Sequence, residues 1–190
     1  DETKAAIVLS MESVFGTIFS IIILHEVINN RLRGVSRMES FEIILERYEG
    51  EMSEEEKECW TTKKNDIYKE LVKNMSPADL SAEVKETLDD LRANGHKLAI
   101  GSSSKNARFI LGQLGLGEYF DAISDGNNIS KSKPDPEVFV KAAEYVDEQA
   151  DKCLVVEDAK AGLQAAIAGG MDCAAIGDAV ASGLGTYNLS

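Results

Sequence analysis

The sequence predicts an α/β protein: a parallel, doubly wound sheet interrupted after its first strand by a small helical subdomain. Three observations carry this. Short apolar runs of the kind buried on both faces of a sheet recur at residues 4–9 (KAAIVL), within 96–104 (HKLAIGSSS), at 153–156 (CLVV) and at 172–176 (DCAAI). From residue 77 onward these runs alternate with helical periodicity, which implies right-handed crossovers between parallel strands. Between the first run and the rest lies a charged stretch with helical spacing and no strand pattern.

Taken in order, residues 4–9 read as the first buried strand, with Ser10-Met11-Glu12-Ser13 at its C-terminal end. Residues 14–24 are apolar without a clear period, and residues 25–32 read as helical. Gly34-Val35-Ser36-Arg37 makes a turn that starts a helix with Phe41, Ile44, Leu45 and Tyr48 on one face. Ser53, three residues before Glu56, fits a capping box, and the helix after it places Trp60, Ile67 and Leu71 on its apolar face. This subdomain ends near Met75-Ser76-Pro77. Val84, Leu88 and Leu91 then mark an amphipathic helix closed by Asn94-Gly95. A strand over 96–104, a helix over 105–114, a strand over 119–123, a helix over 137–146 carrying Phe139, Ala143 and Val146 inward, a strand over 153–156, a small-residue helix packing through Leu163, Ala166, Ile167 and Gly170, and a last strand over 172–176 complete the chain.

Composition limits what the chain can do. Its 190 residues allow one sizeable domain or a core with a small insertion, and 44% hydrophobic content is enough for a core. A net charge of -13 argues against nucleic acid, whose phosphates would be repelled, so a phosphate-bearing ligand must meet locally placed cations. Three cysteines, Cys59, Cys153 and Cys173, lack a CxxC pattern and are expected to be buried thiols of a reducing cytoplasm. The most lipid-like stretch, residues 5–24, is broken by Glu12, and its clean part is too short for the roughly 20 residues a membrane helix needs. With only Lys4 basic there, a signal peptide is not expected either, and the chain reads as soluble and cytoplasmic. Nothing fixes the oligomeric state; a monomer is the simplest expectation.

Chemistry concentrates in three loops expected at the carboxyl ends of strands, where open α/β sheets bind ligands. Residues 101–106 (GSSSKN) offer hydroxyls and backbone N–H groups at a helix start, an anion site. Residues 131–136 (KSKPDP) offer Lys133 on a loop stiffened by Pro134 and Pro136, a point charge suited to phosphate. Glu157 and Asp158 offer hard oxygen donors for a cation such as Mg²⁺. Each has a plainer reading: serine caps, a surface lysine, acids at a helix N-terminus. Their joint presence in this order is what points to phosphate chemistry. No dinucleotide loop, Walker lysine loop, HExxH pair or GxSxG elbow occurs.

GSSSKN, SKPDP and VVEDAKAG resemble the later motifs of the haloacid dehalogenase superfamily of phosphoryl-transfer enzymes. GVSRMES, KKNDIY, SPADL, KLAIGSSSKNARFIL, YFDAIS and SKPDPEVF are similar, in order, to segments of its β-phosphoglucomutase branch, a likeness that covers about residues 33–176. The resemblance implies a Rossmann-like core of residues 1–14 and 78–190, an inserted α-helical cap of residues 15–77, Mg²⁺ as cofactor and a small phosphorylated sugar as substrate. It implies that Ser102 and Lys133 hold the transferring phosphoryl group and that Glu157, Asp158 and the backbone carbonyl of Glu12 serve the metal. Ser104, Lys105, Asn106 and Arg37 of the cap would hold the non-transferring phosphate, with Lys64 contacting the sugar phosphate.

The first motif departs from the family. Where the family carries DxD followed by Gly, this chain has Ser10, Glu12 and Ser13, so Ser10 stands at the nucleophile and Glu12 at the acid–base. A neutral hydroxyl cannot form an acyl phosphate and removes an anionic metal ligand; by analogy with other covalent enzymes, its loss costs on the order of 10⁶ in rate. The segment up to the cap is also shorter and more apolar than the family's, and His25 falls at the wrong offset for the family's substrate-contacting histidine. Either the chemistry has been lost, or the N-terminal stretch is not the natural one; the survival of Lys133 and Glu157-Asp158 favours the second. The expected function is phosphate transfer between C1 and C6 of a β-glucose phosphate, impaired as written. A phosphatase of the same superfamily and a non-catalytic phosphosugar-binding protein are the alternatives.

Overall fold

The computed structural model of the chain describes residues 6–9 and 31–189. Expectations for Ser10, Glu12, His25 and residues 14–24 lie outside them. Six parallel strands form one sheet in the order β3-β2-β1-β4-β5-β6. They are β1 (Ala6–Leu9), β2 (Lys97–Gly101), β3 (Ala122–Ser124), β4 (Cys153–Glu157), β5 (Asp172–Ala175) and β6 (Tyr187–Asn188). β1 is central, its Leu9 paired with Ile100 on one side and Val156 on the other.

Alternation along β1 sends its side chains to two separate cores. Ala6 and Val8 join Phe139, Val155 and Leu163 on one face, whereas Ile7 and Leu9 join Leu88, Leu98, Ile100 and Leu111 on the other. All four β1 residues are buried, as a strand covered by helices on both faces must be. Helices α5 (Glu137–Tyr145) and α6 (Lys160–Ala168) contribute to the first core, and α3 (Ala82–Ala93) and α4 (Ala107–Gln113) to the second. This is a Rossmann-like, doubly wound fold, as the alternating pattern predicts.

Two further helices, α1 (Arg37–Leu45) and α2 (Glu54–Val72), pack against each other beyond the sheet. Both begin with reciprocal capping boxes, Ser36 with Glu39 and Ser53 with Glu56, so four orphan backbone donors are satisfied locally. Gly95 ends α3 with φ +84°, the left-handed conformation that Asn94-Gly95 signals.

The structure corrects several sequence expectations. Trp60, Ile67 and Leu71 do not line the inward face of α2; they are exposed, and Thr61, Asn65 and Val72 are buried instead. The reason is that α2 turns a polar face with Thr61 and Asn65 toward a cleft, and only its end, through Tyr68 and Val72, reaches a core. Tyr48 and Ile167 are likewise exposed, with Gly162, Leu163, Ala165 and Ala166 forming the packed face of α6. Residues 119–121 precede β3 rather than belong to it, and the short, exposed edge strand β6 has no period long enough to be read from sequence. Cys153 and Cys173 are buried free thiols, but Cys59 is exposed on the charged helix α2. Among the described residues no helix is long and apolar enough to cross a membrane.

Candidate functional site

The loops after β2 and β4 flank the carboxyl end of β1, where strand order reverses, and the loop after β3 reaches the same rim. Lys133 and Glu157, which come from two of these loops, meet there: Lys133 Nζ donates to Glu157 Oε2 at 2.8 Å, with both side chains fully shielded from solvent. Stripping two charges of water costs several kcal/mol per ion, so the pair persists only because its remaining groups are satisfied. Glu157 Oε1 accepts the backbone N–H groups of Asp158 and Ala159 at 3.1 and 3.0 Å. The Lys133 ammonium lies 4.6 Å from the centre of the Phe139 ring, a cation–π contact.

Two glycines make room for this arrangement. A Cβ at Gly162 would fall 2.0 Å from Glu157 Oε2, so α6 can approach the carboxylate only without a side chain there. A Cβ at Gly101 would strike the Phe139 ring at 2.5 Å, so the end of β2 is kept bare where Phe139 lies beneath Lys133. On the far side of Lys133, Gly34 adopts φ +76°, and a Cβ there would sit 3.3 Å from the lysine Cδ. Glu137 anchors the lysine's own loop, accepting the N–H groups of Ser130 and Lys131, each at 2.8 Å, and the Ser130 hydroxyl at 2.9 Å.

The 102–106 loop is wired just as closely. Ser102 is fully buried, and its Oγ accepts the Ser104 N–H at 3.1 Å, while Ser104 Oγ accepts the Asn106 N–H at 3.1 Å. Ser103 donates its hydroxyl to Gly34 O at 2.8 Å, tying the loop to the start of the cap. From outside, the 125–128 turn braces it. Gly126 N–H donates to Ser104 O at 3.2 Å and Asn127 Nδ2 to Lys105 O at 3.0 Å. A Cβ at Gly126 would lie 2.4 Å from Ser103 O. The buried carboxylate of Asp125 holds this turn by accepting from Asn127.

Above this floor lies a cleft of about 1600 Å³ between α1, α2 and the sheet's carboxyl rim, with Arg37, Lys64, Ser104, Lys105, Asn106 and Asp158 among its lining residues. The structure therefore gathers these six sequence-predicted residues around one opening. Ser102, Lys133 and Glu157 are buried and do not line it, although their neighbours Ser103, Pro134 and Asp158 do. Ser10 and Glu12 lie outside the described residues.

For a cation, Asp158 is the better placed of the two acids, since both oxygens of Glu157 are already engaged. Arg33 Nη1 stands 3.7 Å from Asp158 Oδ2 and 3.2 Å from Asp178 Oδ2. Among the described residues no group of three His, Cys, Asp or Glu side chains forms a metal cluster. The oxygen donors that are present fit a hard cation such as Mg²⁺.

Phe139, Gly162, Asn65 and the 125–128 turn are absent from the sequence-derived site. The Asp-Gly-Asn-Asn run just past a strand is a turn signal that could have flagged the last of these. Gly162 beside two acids gives no such signal, because its role is to leave space.

A model of the haloacid dehalogenase-like hydrolase family matches residues 2–176. β-Phosphoglucomutase of Bacillus subtilis (strain 168) is 36% identical over 151 residues, which cover 78% of this chain and 67% of that protein. A phosphorylated carbohydrates phosphatase of Thermotoga maritima is 29% identical over 150 residues, covering 77% of this chain and 67% of that protein. Among solved structures, β-phosphoglucomutase from Clostridium difficile superposes with a TM-score of 0.86 at 27% identity, over 98% of this chain and 90% of that one. CbbY from Rhodobacter sphaeroides, in complex with xylulose-(1,5)bisphosphate, superposes at 0.75 with 16% identity over 98% of this chain and 94% of that one, a likeness of fold. Since the family match takes in most of the sequence, from the first strand through the last buried one, this chain belongs to the haloacid dehalogenase-like hydrolases, on their β-phosphoglucomutase-like, phosphoryl-transferring side.

Proposed function

We propose that this chain binds a small phosphorylated sugar between cap and core and acts in phosphoryl transfer between C1 and C6 of a β-glucose phosphate. The observation that carries the reading is the buried Lys133–Glu157 pair at 2.8 Å, whose neighbours Pro134 and Asp158 line a cleft together with Arg37, Lys64, Ser104, Lys105 and Asn106. In a chain of net charge -13, this local gathering of cations is the feature an anionic ligand would seek.

On this reading Lys133, oriented by Glu157 and the Phe139 ring, and the Ser102 hydroxyl face the transferring phosphoryl group. Ser104, Lys105, Asn106 and Arg37 hold the other phosphate, and Lys64 approaches from the cap. Phosphoryl transfer asks the protein mainly to position reactants and neutralise spread negative charge, which fixed cations and oriented donors do. Asp158, with Glu157 behind it and the Glu12 carbonyl, would hold Mg²⁺, which supplies charge neutralisation at the phosphoryl oxygens when bound. On this reading Glu12, at the family's acid–base position in the sequence, exchanges protons with the sugar hydroxyl.

Ser10 at the nucleophile position makes the expected turnover very weak. The test is a coupled assay of β-glucose 1-phosphate conversion with Mg²⁺, on protein whose intact mass and peptide map verify Ser10. Wild type is expected to be near background and Ser10→Asp to raise the rate by orders of magnitude. Robust activity with Ser10 verified overturns the expected impairment, whereas no gain in Ser10→Asp together with no binding of glucose 6-phosphate removes the reading. The likeness to a carbohydrate phosphatase favours one rival. Phosphate release from Ser10→Asp without isomerisation would select it.

A further inference from the structure

Asn106 occupies the N-cap of α4, yet its side chain makes no capping hydrogen bond to that helix. Asparagine is among the best N-cap residues, and leaving the cap unmade weakens the helix start. The carboxamide instead crosses to the cap: Asn106 Nδ2 donates to Asn65 Oδ1 at 2.8 Å, and both residues are buried, at 8% and 9% exposure. Asn65 is itself out of place by local rules. It lies inside the long helix α2, where asparagine is a weak helix former, and on the polar face that α2 turns toward the cleft. Two elements thus give up local stability for one contact across the cleft, which is where functional demand overrides local preference.

We infer that Asn65 is a positioning residue for phosphate recognition: its carbonyl oxygen accepts from Asn106 Nδ2 and holds that amide in the cleft that both residues line. An amide can turn either its oxygen or its nitrogen to a neighbour. In the observed pairing Asn65 presents its oxygen, and a turn of the Asn106 amide alone would set oxygen against oxygen. One amide hydrogen goes to Asn65, and the second remains for a phosphate oxygen in the cleft that both residues line. The inference rests on the proposed phosphate-binding role of Ser104, Lys105 and Asn106.

The test is titration calorimetry of glucose 6-phosphate against the full chain and its Asn65→Ala, Asn65→Leu, Asn106→Ala, Ser104→Ala and Asn65→Ala/Asn106→Ala variants. Circular dichroism confirms folding, and Asn65→Ala serves if the Leu variant does not fold. Loss of one net hydrogen bond predicts about five- to tenfold weaker binding in each Asn65 and Asn106 single variant, and a double variant no weaker than Asn106→Ala. The Asn106 side-chain amide resonances should also move toward exposed values in the Asn65 variants, which loosened packing elsewhere would not produce. Wild-type affinity in Asn65→Ala alongside weakened Asn106→Ala overturns the inference and leaves the phosphate reading standing, as do losses that multiply in the double variant. Unchanged affinity in both Ser104→Ala and Asn106→Ala overturns the phosphate reading, and this inference with it.

Discussion

Lys133 and Lys64 are both assigned to the proposed phosphate site, and the protein treats them differently. Lys133 is 1% exposed, bonded to Glu157 and resting on the Phe139 ring, in a pocket cleared by glycines. Lys64 projects from the polar face of α2 into an open cleft, exposed to solvent. The floor residue is fixed before any ligand arrives, at a high cost in desolvation, whereas the roof residue costs little and is free to follow its ligand. A floor built this way supports chemistry, which needs preorganised charge, and a roof built this way supports capture and release.

The sharpest way to break this contrast is to remove one charge from each side. Glu157→Ala leaves the Lys133 ammonium buried without its carboxylate and is expected to cost about 3–5 kcal/mol of stability. Lys64→Ala should stay within about 0.5 kcal/mol of the parent while weakening glucose 6-phosphate binding. Urea denaturation midpoints compare the two, and equal midpoints would refute the division of labour. Next in size, Gly162→Ala forces a Cβ to within 2.0 Å of Glu157 Oε2. It should cost about 1–3 kcal/mol through overpacking and lower activity of the Ser10→Asp background, because Glu157 must move.

The smallest effect tests how the floor loop is anchored. Hydrogen bonds from Lys141, and then from the N–H groups of Ser130 and Lys131 and the Ser130 hydroxyl, hold the Glu137 carboxyl down to about 2. An unfolded glutamate titrates near 4.3, so the folded state binds the proton less well. The stabilisation is therefore complete above about pH 4.3 and disappears as pH falls toward 2. Parent and Glu137→Gln should differ in urea midpoint at pH 6 and converge near pH 2.5. A gap that stays constant across that range would show that the carboxylate's charge is not what holds the 130–131 turn.

Much of the fold could be read in advance because its signals are local. The apolar runs at β1, β2 and β4, the helix-starting turn at Ser36, the capping box at Ser53 and the Asn94-Gly95 stop each express a rule spanning a few residues. The faces of α2 and α6 could not. The period of Trp60, Ile67 and Leu71 is helical, but period does not say which side a helix buries, and α2 faces a polar cleft. Likewise Lys133 and Glu157 could be nominated from the order of the loops, but not the ring beneath the lysine or the glycines around the pair.

Alone, the order of amino acids determined the sheet-and-helix alternation, the interrupting helical subdomain and the residue types able to meet a phosphate. These follow from backbone propensity and hydrophobic period, which act over neighbouring positions. Tertiary structure decided that Lys133 bonds Glu157, that Asn106 leaves its own helix for Asn65, and that Gly162 must stay bare. Those contacts join residues from separate loops and helices, where partners are fixed by how elements pack, and no pattern within either segment records them.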